Sequence, residues 1–406
     1  MSIIRVSMLA DALYAPDEAG NIDVAPFSRA KGKDRRGRGA MRLYKRGARP
    51  KPGDPLFAYL ARSLQIEAMH LPPDAPVTVM VHGFQFDPAT IVMTPPHHHK
   101  ADNPHARLYH FERHELAREM RAHSTSWPLG LGFANEDGGR DGLCIGFGWY
   151  SNPGFFSSLF HHGENFYARA YNNAEVAAWQ LVCVLEVLAE ILQRPIDVFC
   201  HSLGSRVVVR AVAMATSPLP NLAAMHVEPK ERWVVRPVLR WLDRVLLLAG
   251  AEKVLEAQLM LTHLNGWAAA VRPERRPCFF NVLSRENDVL DKLGENFGPA
   301  APGSKQVIGH NGLEKLDPSW VDIQLDDTDV AAWFLARDYR VSGDDSQGVF
   351  AVMDHWIHYT WPDNMRLYRD ILRDRDRWSV AGLKSTDPSL FDTLRINRGP
   401  GRRGFD

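Results

Sequence analysis

Six short, mostly apolar runs spaced along the chain constrain its fold more than any other feature of the sequence. They are residues 3–9, 77–81, 143–147, 196–200, 245–249 and 278–283. Segments with helical apolar spacing lie between several of them, and the clearest of these is 173–192. Strands that are covered on both faces read as near-continuous apolar runs, and helical crossovers join parallel strands. The pattern predicts an α/β fold with a mostly parallel, doubly wound sheet.

The fourth run leads directly into Cys200-His201-Ser202-Leu203-Gly204, and a helical segment follows from Ser205. In the G-x-S-x-G elbow, a serine lies on a sharp strand-to-helix turn that leaves room only for small flanking residues. Gly204 keeps the second small position, and Cys200 replaces the first glycine. This context predicts that Ser202 is a nucleophile.

A nucleophilic serine also needs N–H donors that hold the oxyanion of the tetrahedral intermediate. The turn His82-Gly83-Phe84 follows the run 77–81. We therefore expect the backbone N–H groups of Phe84 and Leu203 to form an oxyanion hole. An ordinary strand-to-loop turn is the alternative for 82–84.

The serine further needs a base and an acid that orients the base. Asp288 follows the run 278–283 by a short loop and is the favoured acid. Glu286 and Asp291 are alternatives, and an Asp at this place could simply cap a helix. For the base, His355 opens a helical segment and is favoured over His358, which lies one turn further along.

The order Ser202, Asp288, His355 is that of α/β-hydrolases, and the chain resembles an α/β-hydrolase serine enzyme of the esterase or lipase type. The landmarks lie within residues 77–372. They are residues 81–84, 200–205, 287–288 and 354–355. The resemblance implies an acyl-enzyme mechanism without a cofactor. Carboxylic-ester hydrolysis is the expected function. An amidase, peptidase or acyltransferase with the same triad is the alternative, followed by a non-catalytic scaffold.

The expected organisation is an N-terminal strand, basic loop and helix (1–76), a catalytic domain (77–372) and a tail (373–406). Insertions at 86–142, 153–170 and 220–270 are candidate cap segments over the site. Their aromatic residues predict a small-molecule ester with an apolar or aromatic acyl or alcohol part. The candidates for substrate contact are His82, Trp149, Phe155, Phe156 and His201.

Charge and composition exclude several classes of partner. The net charge is zero, so no overall field attracts nucleic acid. Residues 29–51 carry eleven Lys or Arg and one acid, which we interpret as a solvated run. Six histidines crowd residues 97–114 with few carboxylates and no cysteine, so a metal site is not expected there.

Four cysteines lie in apolar segments without a C-x-x-C spacing, which is typical of buried thiols in a reducing compartment. No apolar run reaches the length of about 18 residues that a membrane-spanning helix needs. A cytoplasmic location without stable membrane insertion is therefore expected.

Overall fold

A nine-stranded sheet organises the protein, in the order β3-β2-β1-β5-β4-β6-β7-β8-β9. The computed structural model describes residues 3–9, 12–16, 41–68, 71–72, 74–89, 103–111, 125–134, 141–152, 166–216, 237–271, 273–285, 287, 290, 306–343 and 354–393. The strands are β1 (Ile4–Met8), β2 (Ala12–Tyr14), β3 (Met41–Arg42), β4 (Val77–Val81), β5 (Leu143–Trp149), β6 (Ile196–His201), β7 (Leu242–Leu248), β8 (Cys278–Leu283) and β9 (Trp320–Gln324).

The sheet is mostly parallel, and the direction of winding reverses at its centre. From β1 to β9 neighbouring strands pair in parallel, whereas β2 runs antiparallel to both β1 and β3. The chain passes from β4 to β5 on one side, and then from β6 through β7 and β8 to β9 on the other. Such a reversal opens a crevice at the carboxyl ends of the two strands concerned, and this is where open α/β sheets bind ligands. Here these strands are β4 and β6.

Helices cover both faces of the sheet. They are α1 (Pro55–Ala68), α2 (Pro104–Arg107), α3 (Trp127–Gly130), α4 (Phe166–Leu192), α5 (Leu203–Thr216), α6 (Pro237–Trp241), α7 (Val254–Val271), α8 (Ile308–Asn311), α9 (Thr328–Leu335), α10 (Asp354–Thr360), α11 (Pro362–Arg373), α12 (Val380–Thr386) and α13 (Pro388–Phe391). One apolar core contains residues of α1, α4, α5 and α7, and the other contains residues of α9, α11, α12 and α13.

Alternation along a strand divides its side chains between these two cores. In β4, Val79 and Val81 belong to the first core, and Met80 between them belongs to the second. All three are fully buried, and burying a side chain of this size contributes about 1.5–3 kcal/mol. Because both faces of β4 are apolar, this strand is buried inside the sheet and does not form one of its edges.

The predicted α/β class and mostly parallel sheet are confirmed. Runs 77–81 and 278–283 are β4 and β8 residue for residue, and run 196–200 is β6 less its last residue. Run 245–249 overlaps a strand that begins three residues earlier, at Leu242, and ends one residue earlier, at Leu248. The edge strands β3 and β9, and β2 next to β3, were not predicted.

The outer parts of the predicted domain division belong to the same sheet and its cores. Strands β1 to β3 extend the sheet beyond β5, so the described part of 1–76 is continuous with it. In the expected tail, Trp378, Leu383 and Phe391 are buried in the second core. Within the third candidate cap segment, residues 242–248 form β7, and α7, which packs on the first core, begins at Val254.

Candidate active site

Ser202 lies on a strained turn between the end of β6 and the first residue of α5. Its φ is 53°, in the left-handed region that side chains other than glycine seldom adopt. Placing an L-residue there costs about 1–2 kcal/mol, and surrounding bonds must hold it. The Ser202 N–H donates to Leu248 O at 2.8 Å, and Ala251 N–H donates to Ser202 O at 3.0 Å. The strand β7 thus fixes the nucleophile elbow from its far side.

The packing of the elbow explains both of its flanking residues. A Cβ atom on Gly204 would lie 2.5 Å from the carbonyl oxygens of Val81 and His82, so only glycine fits there. Cys200 is not among the atoms that the Gly204 Cβ would meet. Its Sγ lies 3.3 Å from Leu246 O and 3.6 Å from Ser205 Oγ. A small side chain is therefore accommodated at the first position, and burial raises the pKa of its thiol to about 12.

The turn after β4 lies directly against the elbow. A Cβ atom on Gly83 would come within 2.8 Å of Ser202 Cβ and 3.0 Å of His201 O. In the part of the chain that the structure describes, neither the Phe84 N–H nor the Leu203 N–H has a hydrogen-bond acceptor. Both predicted oxyanion donors therefore belong to turns that meet at the crevice, and both remain unpaired there.

Left-handed backbone recurs at the carboxyl ends of three neighbouring strands. After β4, β6 and β7 come Gln85 with φ 73°, Ser202 with φ 53° and Ala249 with φ 46°. Strained backbone of this kind persists only where the surrounding structure holds it in place, and it clusters at functional sites. The site thus occupies the centre of the sheet's carboxyl edge.

The base candidate His355 is the second residue of α10 and is almost completely buried. Its Nδ1 faces the side-chain amide of Asn287, with Nδ2 at 3.0 Å and Oδ1 at 3.2 Å. When Oδ1 accepts from Nδ1–H, the other ring nitrogen is left unprotonated and can act as a base. No described residue bonds to that Nε2, and Ser202 Oγ is not hydrogen-bonded to His355. Catalytic hydrogen bonds are often long before substrate binds.

Sequence reasoning did not assign a role to Asn287, the residue that contacts His355. The predicted acid Asp288 and its alternatives Glu286 and Asp291 lie outside the described residues. Asn287 follows β8 by the short loop in which the acid was expected. Its side chain is fully buried, and its Oδ1 also accepts from Leu290 N–H at 3.3 Å. The signal for it was its position in the loop, where only carboxylates were considered.

His201 connects the β6–α5 turn to His355. Its Nε2 donates to the backbone carbonyl of His355 at 3.0 Å, and the two rings lie 4.5 Å apart. Burial lowers the pKa of His201 to about 4, so the ring is neutral at neutral pH. These contacts favour a positioning role for His201, which holds the start of α10 beside Ser202.

The environment of His358 differs from that of His355. Among the described residues, neither of its ring nitrogens has a hydrogen-bond partner, and its side chain is fully buried in α10. Burial lowers its pKa to about 3. A base requires a group that orients its ring, and the geometry supplies such a group for His355 alone of the two.

His82 and Trp149 brace the turn after β4. Trp149 N–H donates to His82 Nε2 at 3.0 Å, so the neutral ring carries its proton on Nδ1 and donates it to Gly83 O at 2.9 Å. Trp149 Nε1 donates to His82 O at 2.9 Å, and the two rings stack. Burial lowers the pKa of His82 to about 3. These contacts favour positioning over substrate contact, and Phe155 and Phe156 lie outside the described residues.

Of the six histidines in residues 97–114, two have described side chains, and both of these side chains lie in the protein interior. His105 is buried with its Nε2 2.7 Å from Ser7 Oγ, and His110 Nε2 lies 3.1 Å from Arg107 O. His97, His98, His99 and His114 lie outside the described residues. Within the described ranges, no group of three or more His, Cys, Asp or Glu side chains could hold a metal ion.

The fold and the site define the protein as an α/β protein whose mostly parallel sheet is compatible with the α/β-hydrolase fold. No protein-family model matches the chain, and no curated protein matches its sequence. Among the helices described, none is long and apolar enough to cross a membrane.

Proposed function

We propose that the protein is a serine hydrolase that cleaves carboxylic esters through an acyl-enzyme intermediate on Ser202. The observation that carries this proposal is the left-handed backbone of Ser202 at the β6–α5 elbow, with Gly83 packed against its Cβ. Such a turn exposes the hydroxyl at the carboxyl edge of a parallel sheet, where the backbone donors of two loops converge. Backbone strain of this kind is retained where it holds the Ser202 hydroxyl in one fixed direction.

In the first half-reaction, Ser202 Oγ attacks the ester carbonyl carbon and its proton passes to His355 Nε2. The carbonyl oxygen becomes an oxyanion, which the N–H groups of Phe84 and Leu203 stabilise. The C–O bond to the alcohol then breaks, and His355 returns the proton to the leaving alkoxide. The products are a free alcohol and an ester of the acyl group with Ser202.

In the second half-reaction, water replaces the alcohol. His355 takes one proton from the water as its oxygen attacks the acyl carbon. The bond to Ser202 Oγ breaks, the serine recovers the proton from His355, and the carboxylic acid leaves. The orienting group behind His355 is Asp288 by resemblance, and Asn287 is the described side chain that touches Nδ1.

The aromatic surface beside the turn supports a substrate with an apolar or aromatic part. Phe84 is half-buried with its ring 5.6 Å from that of Tyr167, at the start of α4. An apolar acyl or alcohol group could pack on such a surface without leaving polar groups unpaired. A small-molecule ester is therefore the substrate class that we propose.

A fluorophosphonate probe tests the nucleophile directly, because it phosphonylates an activated serine and releases fluoride. The wild-type protein should be labelled once per chain, and Ser202→Ala should not be labelled. Ser205→Ala is the matched control, since Ser205 is a buried serine three residues further on whose hydroxyl lies beside Cys200. Labelling of Ser202→Ala, or its loss in Ser205→Ala alone, would contradict the assignment. Turnover of p-nitrophenyl esters of increasing acyl length then measures the ester activity.

A further inference from the structure

We propose that Ser151 is a positioning residue that orients and polarises the peptide group between Gly83 and Phe84, an inference that rests on the proposed serine hydrolase. Ser151 follows β5 by two residues and its side chain is fully buried. Its single hydroxyl hydrogen has two acceptors within reach, Gly83 O at 2.8 Å and Phe86 O at 3.2 Å, and Gly83 O is the nearer of the two. The residue does not touch the reacting atoms, and its effect passes through the turn.

The Gly83–Phe84 peptide joins this contact to the oxyanion site. Gly83 O and the Phe84 N–H belong to one planar unit, and in a trans peptide they point in opposite directions. Gly83 O receives two hydrogen bonds, from Ser151 Oγ at 2.8 Å and from His82 Nδ1 at 2.9 Å. Fixing the carbonyl at one end therefore fixes the direction of the N–H at the other.

The same two bonds increase the donor strength of the Phe84 N–H. Hydrogen bonds that share an amide group polarise one another, so a peptide that accepts at its oxygen donates more strongly from its nitrogen. The effect is useful where charge develops on the substrate and no reorganisation is needed at that moment. Because Gly83 O accepts two hydrogen bonds, the Phe84 N–H is a stronger donor. This strengthens its bond to an oxyanion more than its bond to a neutral ester carbonyl.

Ser151 also holds the far side of the turn. Phe86 N–H donates to Ser151 Oγ at 3.0 Å, and Ser151 N–H donates to Phe86 O at 3.0 Å. Between these contacts lies Gln85, whose φ of 73° is in the left-handed region. One serine therefore restrains both ends of a strained segment, and the oxyanion donor lies inside it.

If Ser151 had only a structural role, its replacement would lower the free energy of unfolding and leave the stabilisation of the transition state unchanged. A positioning role predicts a selective loss in steps that build negative charge on the bound oxygen. We therefore compare Ser151→Ala with Ser151→Cys, which is similar in size but is only a weak donor. Labelling by a fluorophosphonate and turnover of a p-nitrophenyl ester are the two readouts.

In Ser151→Ala the second-order labelling rate and kcat should fall together by about 10-fold or more, with KM within about twofold of wild type. Loss of a direct oxyanion donor costs about 10²–10³-fold, so an indirect one should cost less. Ser151→Cys should lie between wild type and Ser151→Ala. If Ser151→Ala does not fold, the labelling rate of Ser151→Cys decides the question. A rate below that of wild type supports the positioning role, and a rate equal to that of wild type contradicts it.

Ser319→Ala is the matched control. Ser319 is a buried serine whose hydroxyl donates to Asp317 at 2.6 Å, at the amino end of β9 and thus at the opposite edge of the sheet. It should lose melting temperature but keep the labelling rate. A Ser151→Ala protein that labels at the wild-type rate would overturn the inference and leave the hydrolase standing. Absence of labelling in the wild type, or labelling of Ser202→Ala, would remove both.

Discussion

A Cβ atom on Gly83 would lie only 2.8 Å from the Cβ of Ser202. The contact follows from the sheet order, in which β4 and β6 are neighbours although β5 lies between them in sequence. The turn after one strand therefore closes against the elbow after the other. The topology thus brings the proposed nucleophile and the proposed oxyanion donors together, and a glycine is required where the two turns meet.

Gly83→Ala should lower fluorophosphonate labelling by about 10²-fold or more, the scale of losing an oxyanion donor. The new methyl group would displace either Ser202 or the backbone of His201, and neither is the free end of a flexible chain. Labelling rate and melting temperature are both measured. Gly130→Ala is the control, because its methyl would meet the terminal Cε of Met365, which can rotate away. Equal labelling by the two variants would contradict the close approach.

The Asn287 side chain can accept from His355 Nδ1–H through Oδ1 or donate to Nδ1 through Nδ2, and each arrangement fixes a different tautomer of His355. Substitution of Asn287 distinguishes the two arrangements. Asn287→Asp can only accept from Nδ1–H, so it should label at or above the wild-type rate. Asn287→Leu should fall by about 10²- to 10⁴-fold, as when the base takes the wrong tautomer. Asp288→Asn, measured beside them, tests the acid that the sequence favoured. Strong loss in Asp288→Asn with a normal rate in Asn287→Leu would assign the orienting role to Asp288.

Much of the central sheet could be predicted because its strands are buried on both faces. Runs such as 77–81 are apolar whichever way the side chains alternate, so pattern alone indicates them. Strand β9 was missed because it carries Asp322, whose carboxylate accepts from Asn281 Nδ2 and Trp320 Nε1, both at 2.7 Å. The partner Asn281 lies 41 residues away in sequence and helps to make this polar residue acceptable in a strand, and no local pattern reveals it.

The helical segment that His355 was expected to open is divided into two helices, α10 and α11, and a proline explains the division. Pro362 is the first residue of α11, where its missing N–H costs nothing. The residue before it, Trp361, has extended backbone with φ −79° and ψ 122°. At the site, the elbow was predictable because its chemistry is local. The contact between His355 and Asn287 was not, because 68 residues separate them.

Replacing His355 and His358 by leucine should give opposite results. His355→Leu should abolish labelling, because the proton of Ser202 would have no acceptor. His358→Leu should retain labelling and unfold at the same or a higher denaturant concentration, since neither ring nitrogen has a partner to lose. Labelling rate and urea midpoint are measured for both proteins. Retained labelling in His355→Leu with loss in His358→Leu would transfer the role of base to His358.

The buried histidines should make the protein sensitive to mild acid. Burial lowers the pKa of His82 and His358 to about 3 and that of His201 to about 4, whereas an unfolded histidine titrates near ~6.5. Below this value the unfolded state binds more protons, so the free energy of unfolding falls as pH falls toward the folded pKa values.

Each such histidine contributes up to ~1.4 kcal/mol per pH unit to this loss. Urea unfolding at about pH 7, 6 and 5 should therefore give falling midpoints, with the steepest change below pH 6.5. His358→Leu removes one buried titrating ring and no hydrogen bond, so its unfolding free energy should depend less steeply on pH than that of the wild type. An unchanged slope in this variant would mean that His358 is already charged, or paired, in the folded protein.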